Sequence, residues 1–257
     1  MDRWEGKVAL VTGASAGIGV AIARELAKNG MKVIAVARRL EKLQELVANI
    51  KGEYKADIYP MQCDVQKEED ILRVFKWANE KLGGVDVLVN NAGVVHPEPI
   101  IEGKTANYHH IMNVNVIAAT ICSRELVQSS KRRKTPAHII NISSITGHHA
   151  ELINLPMSVY PASKYALTGM AATLRNELTS SNLDVKVTNI SPGGVETDMV
   201  MNFESYIKEH DAGLLLAKDI ADMVVCVLST PHHVQICEMI VVSHKPSTKA
   251  SPLVFNK

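Results

Sequence analysis

The sequence predicts an α/β fold: a single doubly wound domain with an about seven-stranded parallel sheet and helices on both faces. Three observations carry that expectation. Short runs of valine, isoleucine and alanine alternate with longer amphipathic segments along nearly the whole chain, the pattern of repeated strand–helix units. The runs are continuously apolar rather than alternating, as in parallel strands covered on both faces. No linker, repeat or low-complexity block interrupts the alternation. The 257 residues therefore read as one domain, long enough to bury about three quarters of the unfolded surface.

Taken in order, Lys7–Thr12 is the first strand and Gly17–Asn29 the first helix. Lys32–Ala37 and Leu40–Ile50 are the second strand and helix, and Asp57–Cys63 and Glu68–Leu82 the third pair. Asp86–Asn90 is a fourth strand, followed by one long helix over Ala106–Ser129. Then come strand Ala137–Ile142, helix Pro161–Ser180, strand Val185–Ile190, helix Lys218–Leu228 and strand Gln235–Val242. The cofactor half is expected over about residues 5–140, and the catalytic and substrate part over about 141–245.

Composition narrows the function classes. With 46% hydrophobic and 21% charged residues the chain is ordinary for a globular protein. A formal net charge of +1 gives no reason to expect nucleic acid as a partner. The basic run Lys131–Lys134 reads as a solvated loop. Four cysteines without a CxxC pair argue against a disulfide framework or structural zinc. No membrane-spanning run and no leader are read from the sequence, so a cytoplasmic protein is expected.

The first strand runs into Thr12-Gly13-Ala14-Ser15-Ala16-Gly17-Ile18-Gly19 and then a helix. Glycines there permit a tight turn and a close backbone approach to a pyrophosphate, with the helix N-terminus facing the anion. Where an NAD site carries an acid for the ribose 2′-hydroxyl, the sequence reads Ala37-Arg38-Arg39. Guanidinium groups pair with a 2′-phosphate through forked hydrogen bonds. NADP(H) is the expected cofactor; a pair of arginines ending a surface strand is the alternative.

Tyr160-Pro161-Ala162-Ser163-Lys164 puts a phenol and an ammonium four residues apart. On a helix that spacing places them on one face. A tyrosine with a pKa near 10 is a poor base at neutral pH, and a nearby cation favours its phenolate. Taken alone, such a pair on a helix is usually a pair of neighbours.

The TGxxxGIG turn, Asn90-Asn91-Ala92-Gly93, Ser144, Tyr160/Lys164 and the Pro192–Thr197 segment together resemble the short-chain dehydrogenase/reductase family, over about residues 5–242. The resemblance implies a Rossmann-type fold and hydride exchange between a nicotinamide and an alcohol or carbonyl. It implies that Gly13, Ser15, Ala16, Gly17, Ile18 and Gly19 cradle the dinucleotide and that Asp64 and Val65 bracket the adenine. Unaided, Asp64 reads equally as a residue capping the next helix. Asn91, Ala92 and Gly93 would lie along the cofactor, although paired asparagines are also turn formers.

The same resemblance makes Tyr160 the acid/base and gives Lys164 the tuning of that phenol and a grip on the ribose. Ser144 would hold the substrate oxygen, with Ser143 its neighbour, and Asn115 would open the helix to hold a relay water. Pro192, Gly193, Val195 and Thr197 would flank the nicotinamide. Ser144 lies 16 positions before Tyr160, a slightly long spacing that points to the 148–157 loop as a shaper of the substrate pocket. More narrowly, the Arg38-Arg39 turn, the Ser144–His148 stretch and the last strand look like the branch of insect farnesol dehydrogenases and eukaryotic ketosteroid or carbonyl reductases.

Leu152, Ile153, Leu155, Met157, Met199, Met201 and Phe203 favour a hydrophobic small-molecule substrate, an isoprenoid alcohol before a steroid or general carbonyl. A lid over 198–213 is expected. The pairs His109-His110, His148-His149 and His232-His233 are read as loop or solvent positions, with no metal. Helices from about residues 106 and 161 imply a homodimer or homotetramer. A non-catalytic NADP(H)-binding sensor, the reading from another class, would lack the Tyr or the Lys.

Overall fold

A computed structural model of the chain describes residues 1–205 and 213–244. Seven strands form one all-parallel sheet: β1 Val8–Thr12, β2 Lys32–Ala37, β3 Ile58–Gln62, β4 Val87–Asn90, β5 Ala137–Ile142, β6 Val185–Pro192 and β7 Glu238–Val241. The spatial order is β3-β2-β1-β4-β5-β6-β7. The eight α-helices of the described residues are α1 Gly17–Lys28, α2 Leu40–Glu53, α3 Glu68–Leu82, α4 Thr105–Met112, α5 Ala118–Arg133, α6 Tyr160–Ser180, α7 Asp198–Met201 and α8 Ala217–Ser229.

Alternation within each strand builds two cores. Ala9 and Val11 of β1, Val33 and Ala35 of β2 and Val87 and Val89 of β4 face one layer. There they meet Ile22 and Leu26 of α1, Leu43 and Ile50 of α2, and Ile220 and Val224 of α8. The intervening Leu10, Ile34 and Leu88 face the other layer, against Ile71 and Phe75 of α3, Leu126 of α5 and Leu178 of α6. Period two on each strand feeding two apolar layers is what a doubly wound sheet requires. Fully burying each such side chain contributes about 1.5–3 kcal/mol.

Two departures from the sequence reading stand out. The expected single helix over 106–129 is broken: a π turn, Asn113–Ile117, separates α4 from α5. Its cause is a side chain of the turn itself that reaches outside the helix, described below. The basic run is not a loop either, because α5 continues to Arg133. Arg133 reaches back to the Asp86 carboxylate at 2.7 Å, and the other oxygen of Asp86 accepts from the Val8 amide at 3.0 Å. The end of α5 is thereby tied to the start of β1.

A ladder of amides crosses the carboxyl half of the sheet. Asn90, Asn141, Asn189 and Glu238 are register partners on β4, β5, β6 and β7. Asn90 Nδ2 donates to Asn141 Oδ1 at 2.9 Å, Asn141 to Asn189 at 2.9 Å, and Asn189 to Glu238 at 3.0 Å. All three asparagines are buried, and Asn90 Oδ1 at the head of the ladder has no partner.

His138 of β5 is buried, with Nε2 at 2.9 Å from Thr188 Oγ1. Because the Thr188 hydroxyl donates to the Ile236 carbonyl, the histidine Nε2–H must be the donor, and Nδ1 is left unpartnered. Burial, then the Lys186 and Arg3 charges, push its pKa down to about 3 from 6.5. Below about pH 6.5 the unfolded chain takes up a proton that the folded chain refuses, so stability falls as pH drops toward 3. Between pH 7 and pH 5 this group alone should remove roughly 2 kcal/mol. Urea unfolding of wild type and His138→Leu at both pH values checks this: the variant should lose that part of the acid dependence.

Among the described residues, no helix is long and apolar enough to cross a membrane. No group of three His, Cys, Asp or Glu is placed there to hold a metal. The four cysteines are unbridged.

Candidate active site

The strand order turns at β1, which pairs with β2 on one side and β4 on the other. At such a switch point the loops part and leave a crevice beyond the carboxyl ends of the strands. Here the crevice is a cleft of about 430 Å³. The glycine turn forms its floor. Gly13 and Gly17 sit at φ +68° and +53°, in the left-handed region that glycine tolerates. A Cβ at Gly13 would lie 2.9 Å from Ala92 Cα, and one at Gly17 2.9 Å from Thr197 Cγ2. A Cβ at Gly19 would overlap the Gly13 carbonyl oxygen.

The Asn91 strap is stitched to this turn. Thr12 Oγ1 accepts from the Asn91 and Ala92 amides at 3.0 Å each, and Asn91 Nδ2 donates to the Thr12 carbonyl at 2.8 Å. No side chain caps the N-terminus of α1, so its first amides and dipole remain directed at the cleft. Bare backbone, uncapped amides and the cations below fit a nicotinamide dinucleotide.

At one end the wall carries Arg38, Arg39, Asp64 and Val65. Arg39 donates to Ser15 Oγ at 3.1 Å, while the Arg38 guanidinium makes no hydrogen bond among the described residues. Asp64 Oδ1 accepts from the Gln66 amide at 3.2 Å, an Asx turn rather than a helix cap, since Lys67 occupies the N-cap of α3.

At the other end stand Tyr160 and Lys164, one turn apart at the start of α6. Pro161 falls in the first turn of that helix, where its missing amide costs nothing. The long spacing after Ser144 is taken up by two short 3₁₀ turns, Ile145–Gly147 and Ala150–Leu152, and by Ser158 at φ +52°. Ser144 Oγ accepts from the Thr146 amide at 3.2 Å and the Thr146 hydroxyl at 3.0 Å. Its own proton is thereby left for Tyr160, to which it hydrogen-bonds. Ser143, also on the cleft wall, instead points its hydroxyl at the Lys164 carbonyl, 3.4 Å away.

Burial pushes the Tyr160 phenol up to about 12, with the Ser144 hydrogen bond pulling the other way. Burial also lowers Lys164 to about 8. Its Nζ donates to the Ile142 carbonyl at 2.9 Å and lies 5.4 Å from the Tyr160 ring centre. In the protein alone, burial thus outweighs the lowering of the phenol expected from the spacing. Asn115 explains the π turn. Its Oδ1 accepts from the Val94 amide at 2.8 Å, and its Nδ2 donates to the Val94 carbonyl and Ser163 Oγ, each at 3.0 Å. Splicing the helix to the strap and to α6 at once leaves that turn one residue wide of α geometry.

The sequence-predicted residues do not all meet the cleft. Ser15, Ala16, Gly17, Ile18, Ala92, Gly93 and Thr197 line it, whereas Gly19, Asn115 and Ser144 stand just behind the wall. Pro192, Gly193 and Val195 also lie outside the lining; Val195 is buried and bridges to Leu215. The expected lid opens as the single-turn helix α7, with Met199 on the cleft wall, Met201 exposed and Phe203 buried. Its 206–212 stretch lies outside the described residues.

Cys63, Gln66, Val94, His110, Val114 and Ile142 also line the cleft and were missed. Only His110 and Val114 carried a readable signal, a helical four-residue spacing. The histidine pairs are not all solvent positions: His110 contacts His96, and His148 Nε2 sits 3.1 Å from both Ser191 Oγ and Glu238 Oε1.

Residues 7–207 match the family model described as short chain dehydrogenase. A farnesol dehydrogenase of Aedes aegypti is 45% identical over 241 residues, covering 93% of this chain and 96% of that protein. Dehydrogenase/reductase SDR family member 11 of Gallus gallus is 43% identical, covering 92% and 95%. A metagenomic short-chain oxidoreductase solved in complex with NADP superposes with a TM-score of 0.78 at 30% identity, covering 94% of this chain and 99% of its own. Another solved neighbour holds NAD. With the family model matched over residues 7–207 and relatives 43% and 45% identical along more than nine tenths of its length, the chain belongs to the short-chain dehydrogenase/reductase family.

Proposed function

We propose that the protein is an NADP(H)-dependent oxidoreductase interconverting an alcohol and a carbonyl on a hydrophobic small molecule, with a farnesol-like isoprenoid alcohol favoured. The observation that carries it is the Ser144–Tyr160–Lys164 cluster, Ser144 and Lys164 buried and Tyr160 half-buried on the wall, at one end of a cleft whose other end presents Arg38 and Arg39. A bound nicotinamide supplies the hydride acceptor or donor. Ser144, its hydroxyl oriented by Thr146, holds the substrate oxygen, and Tyr160 takes or gives that oxygen's proton. Lys164 holds positive charge beside the phenol and reaches the ribose side. Asn115 braces the strap and α6 so that these groups stay in line.

The choice of a hydrophobic substrate rests on Met199 at the cleft and on half-exposed Leu152 and Met201 nearby in sequence to the site elements. The name of the mosquito relative points the same way. Exposed Ile117 and Tyr165, on the π turn and on α6, support the homodimer or homotetramer reading. A cytoplasmic location belongs to the same proposal. A kinetic screen of alcohols with NADP⁺ and carbonyls with NADPH tests the proposal; farnesol and farnesal should rank above short polar substrates.

Cofactor choice gives a sharper result. Replacing Arg38 and Arg39 by Ala should weaken NADPH far more than NADH, since charged hydrogen bonds are worth about 1.5–3 kcal/mol each. Dissociation constants for both cofactors check it. Equal losses would remove the arginines from 2′-phosphate recognition.

A further inference from the structure

His110 lines the cleft yet has no part in the reaction drawn above. It lies on α4 four residues before Val114, another wall residue. From the loop after β4, His96 brings its Nε2 to 3.0 Å from His110 Nδ1, with the ring centres 5.2 Å apart and the planes tilted by 53°. One of those nitrogens carries the shared proton and the other accepts it. Nδ1 of His110 is therefore engaged, and Nε2 has no protein partner among the described residues.

Charged and titratable groups act on this ring from three neighbouring segments. They are Arg38 after β2, Asp64 after β3 and His96 after β4, and α4 itself adds the adjacent His109. Cys63 on the same wall is a neutral thiol, pushed up to about 12 chiefly by burial. The charges of Arg38 and Asp64 are felt by His110, and all three line the cleft, the two charges at the end assigned to the 2′-phosphate.

Resting on the NADP(H) reading, we propose that His110, oriented by His96, is a proton-linked donor to the 2′-phosphoadenosine end of the dinucleotide, so that NADPH binding takes up a proton. In the free protein, burial first, then His96 and Arg38, hold His110 below its ordinary 6.5, with Asp64 opposing. The ring is neutral at pH 7. A phosphate dianion in contact reverses that balance, because an opposite charge within about 4–6 Å favours the charged form by about 1–3 pKa units. Affinity for NADPH then rises as pH falls from 8.5 to 6.5, a range in which the phosphate stays mostly dianionic. NADH, lacking that phosphate, shows no such dependence.

The test uses the full chain and measures binding, not turnover. Dissociation constants of NADPH and NADH are taken at pH 6.5 and 8.5 for wild type, His110→Phe and His110→Gln. Calorimetry at pH 7.5 in two buffers of different ionisation heat counts protons. Wild type should bind NADPH about tenfold more tightly at pH 6.5 than at pH 8.5, the effect of roughly two pKa units of coupling, and should take up a fraction of a proton. His110→Phe should lose both effects and leave NADH within about twofold. His110→Gln, which keeps a neutral donor, should retain binding at pH 8.5 and lose the pH dependence; it also guards against misfolding of the Phe variant. Proton uptake that survives both substitutions, or equal losses for NADH and NADPH, overturns the proposal. Wild type binding NADH as tightly as NADPH at both pH values instead overturns the cofactor reading beneath it.

Discussion

Tyr160→Phe will fold, bind NADPH and turn over substrate at least about 10² to 10⁴ times more slowly, the usual contribution of a positioned acid/base. Only one hydroxyl is removed, from the first turn of α6, and the ring that packs beside Lys164 Nζ remains. The lost oxygen is the group hydrogen-bonded by Ser144, so no other side chain of the cluster inherits its proton. Lys164 is committed to the Ile142 carbonyl, and Ser144 is a hydroxyl of much higher pKa. The measurement is kcat together with the NADPH dissociation constant. Near-normal turnover on the best substrate found would place the proton elsewhere and move the protein toward a binding role.

Lys164→Met should lose more activity than Tyr160→Phe and, at neutral pH, gain stability. The ammonium is buried, and the fall from 10.5 to about 8 marks a cost of roughly 3 kcal/mol for holding it charged. That cost is present in full below pH 8. Between pH 8 and 10.5 the unfolded chain binds a proton that the folded chain has shed, so wild-type stability should rise across this window. Methionine removes the cost but orphans the Ile142 carbonyl, at about 1–3 kcal/mol. The net gain is up to about 2 kcal/mol in denaturant unfolding at pH 7.

Activity moves the opposite way. With burial alone holding the phenol near 12, ionisation depends on positive charge brought next to it. Alcohol oxidation in wild type should therefore rise with pH and reach its half-maximum below 12. In Lys164→Met the rise should begin at higher pH, since wild type holds an ammonium beside the phenol up to about pH 8. A variant that is both less active and less stable, with an unmoved pH profile, would assign Lys164 a purely structural role.

The architecture was legible because it rests on local periodicity. Each apolar run became a strand within a few residues of its expected ends, since continuous Val/Ile/Ala runs have no other comfortable place than between two helical layers. The broken helix was not legible. Residues 113–117 contain neither proline nor glycine, and the break comes from the Asn115 amide pairing at once with Val94 and Ser163, both distant in sequence. The glycine turn and the YxxxK pair stood out as local patterns because they rest on short spacings, and both line the cleft. The His96–His110 contact was not, because it joins a loop to a helix across a turn whose path no local pattern specifies. Ser144 was assigned over Ser143 by resemblance alone; the direction of each hydroxyl, set by the strand end and the Thr146 donors, was not legible.

The amide ladder from Asn90 to Glu238 bears on how the second half of the sheet assembles. Four strands separated by long crossovers have to arrive in one alignment, and apolar side chains alone discriminate poorly between neighbouring alignments. A shift of one residue turns every side chain of that strand to the opposite face. It would thrust an asparagine into an apolar layer and strip its neighbour of a donor, at roughly 1–3 kcal/mol for each amide left unsatisfied. Because every rung donates toward β7, a wrongly docked edge strand deprives the row of its terminal carboxylate. The ladder thus works as a proofreading device for assembly, rejecting misaligned sheets that hydrophobic collapse by itself would tolerate.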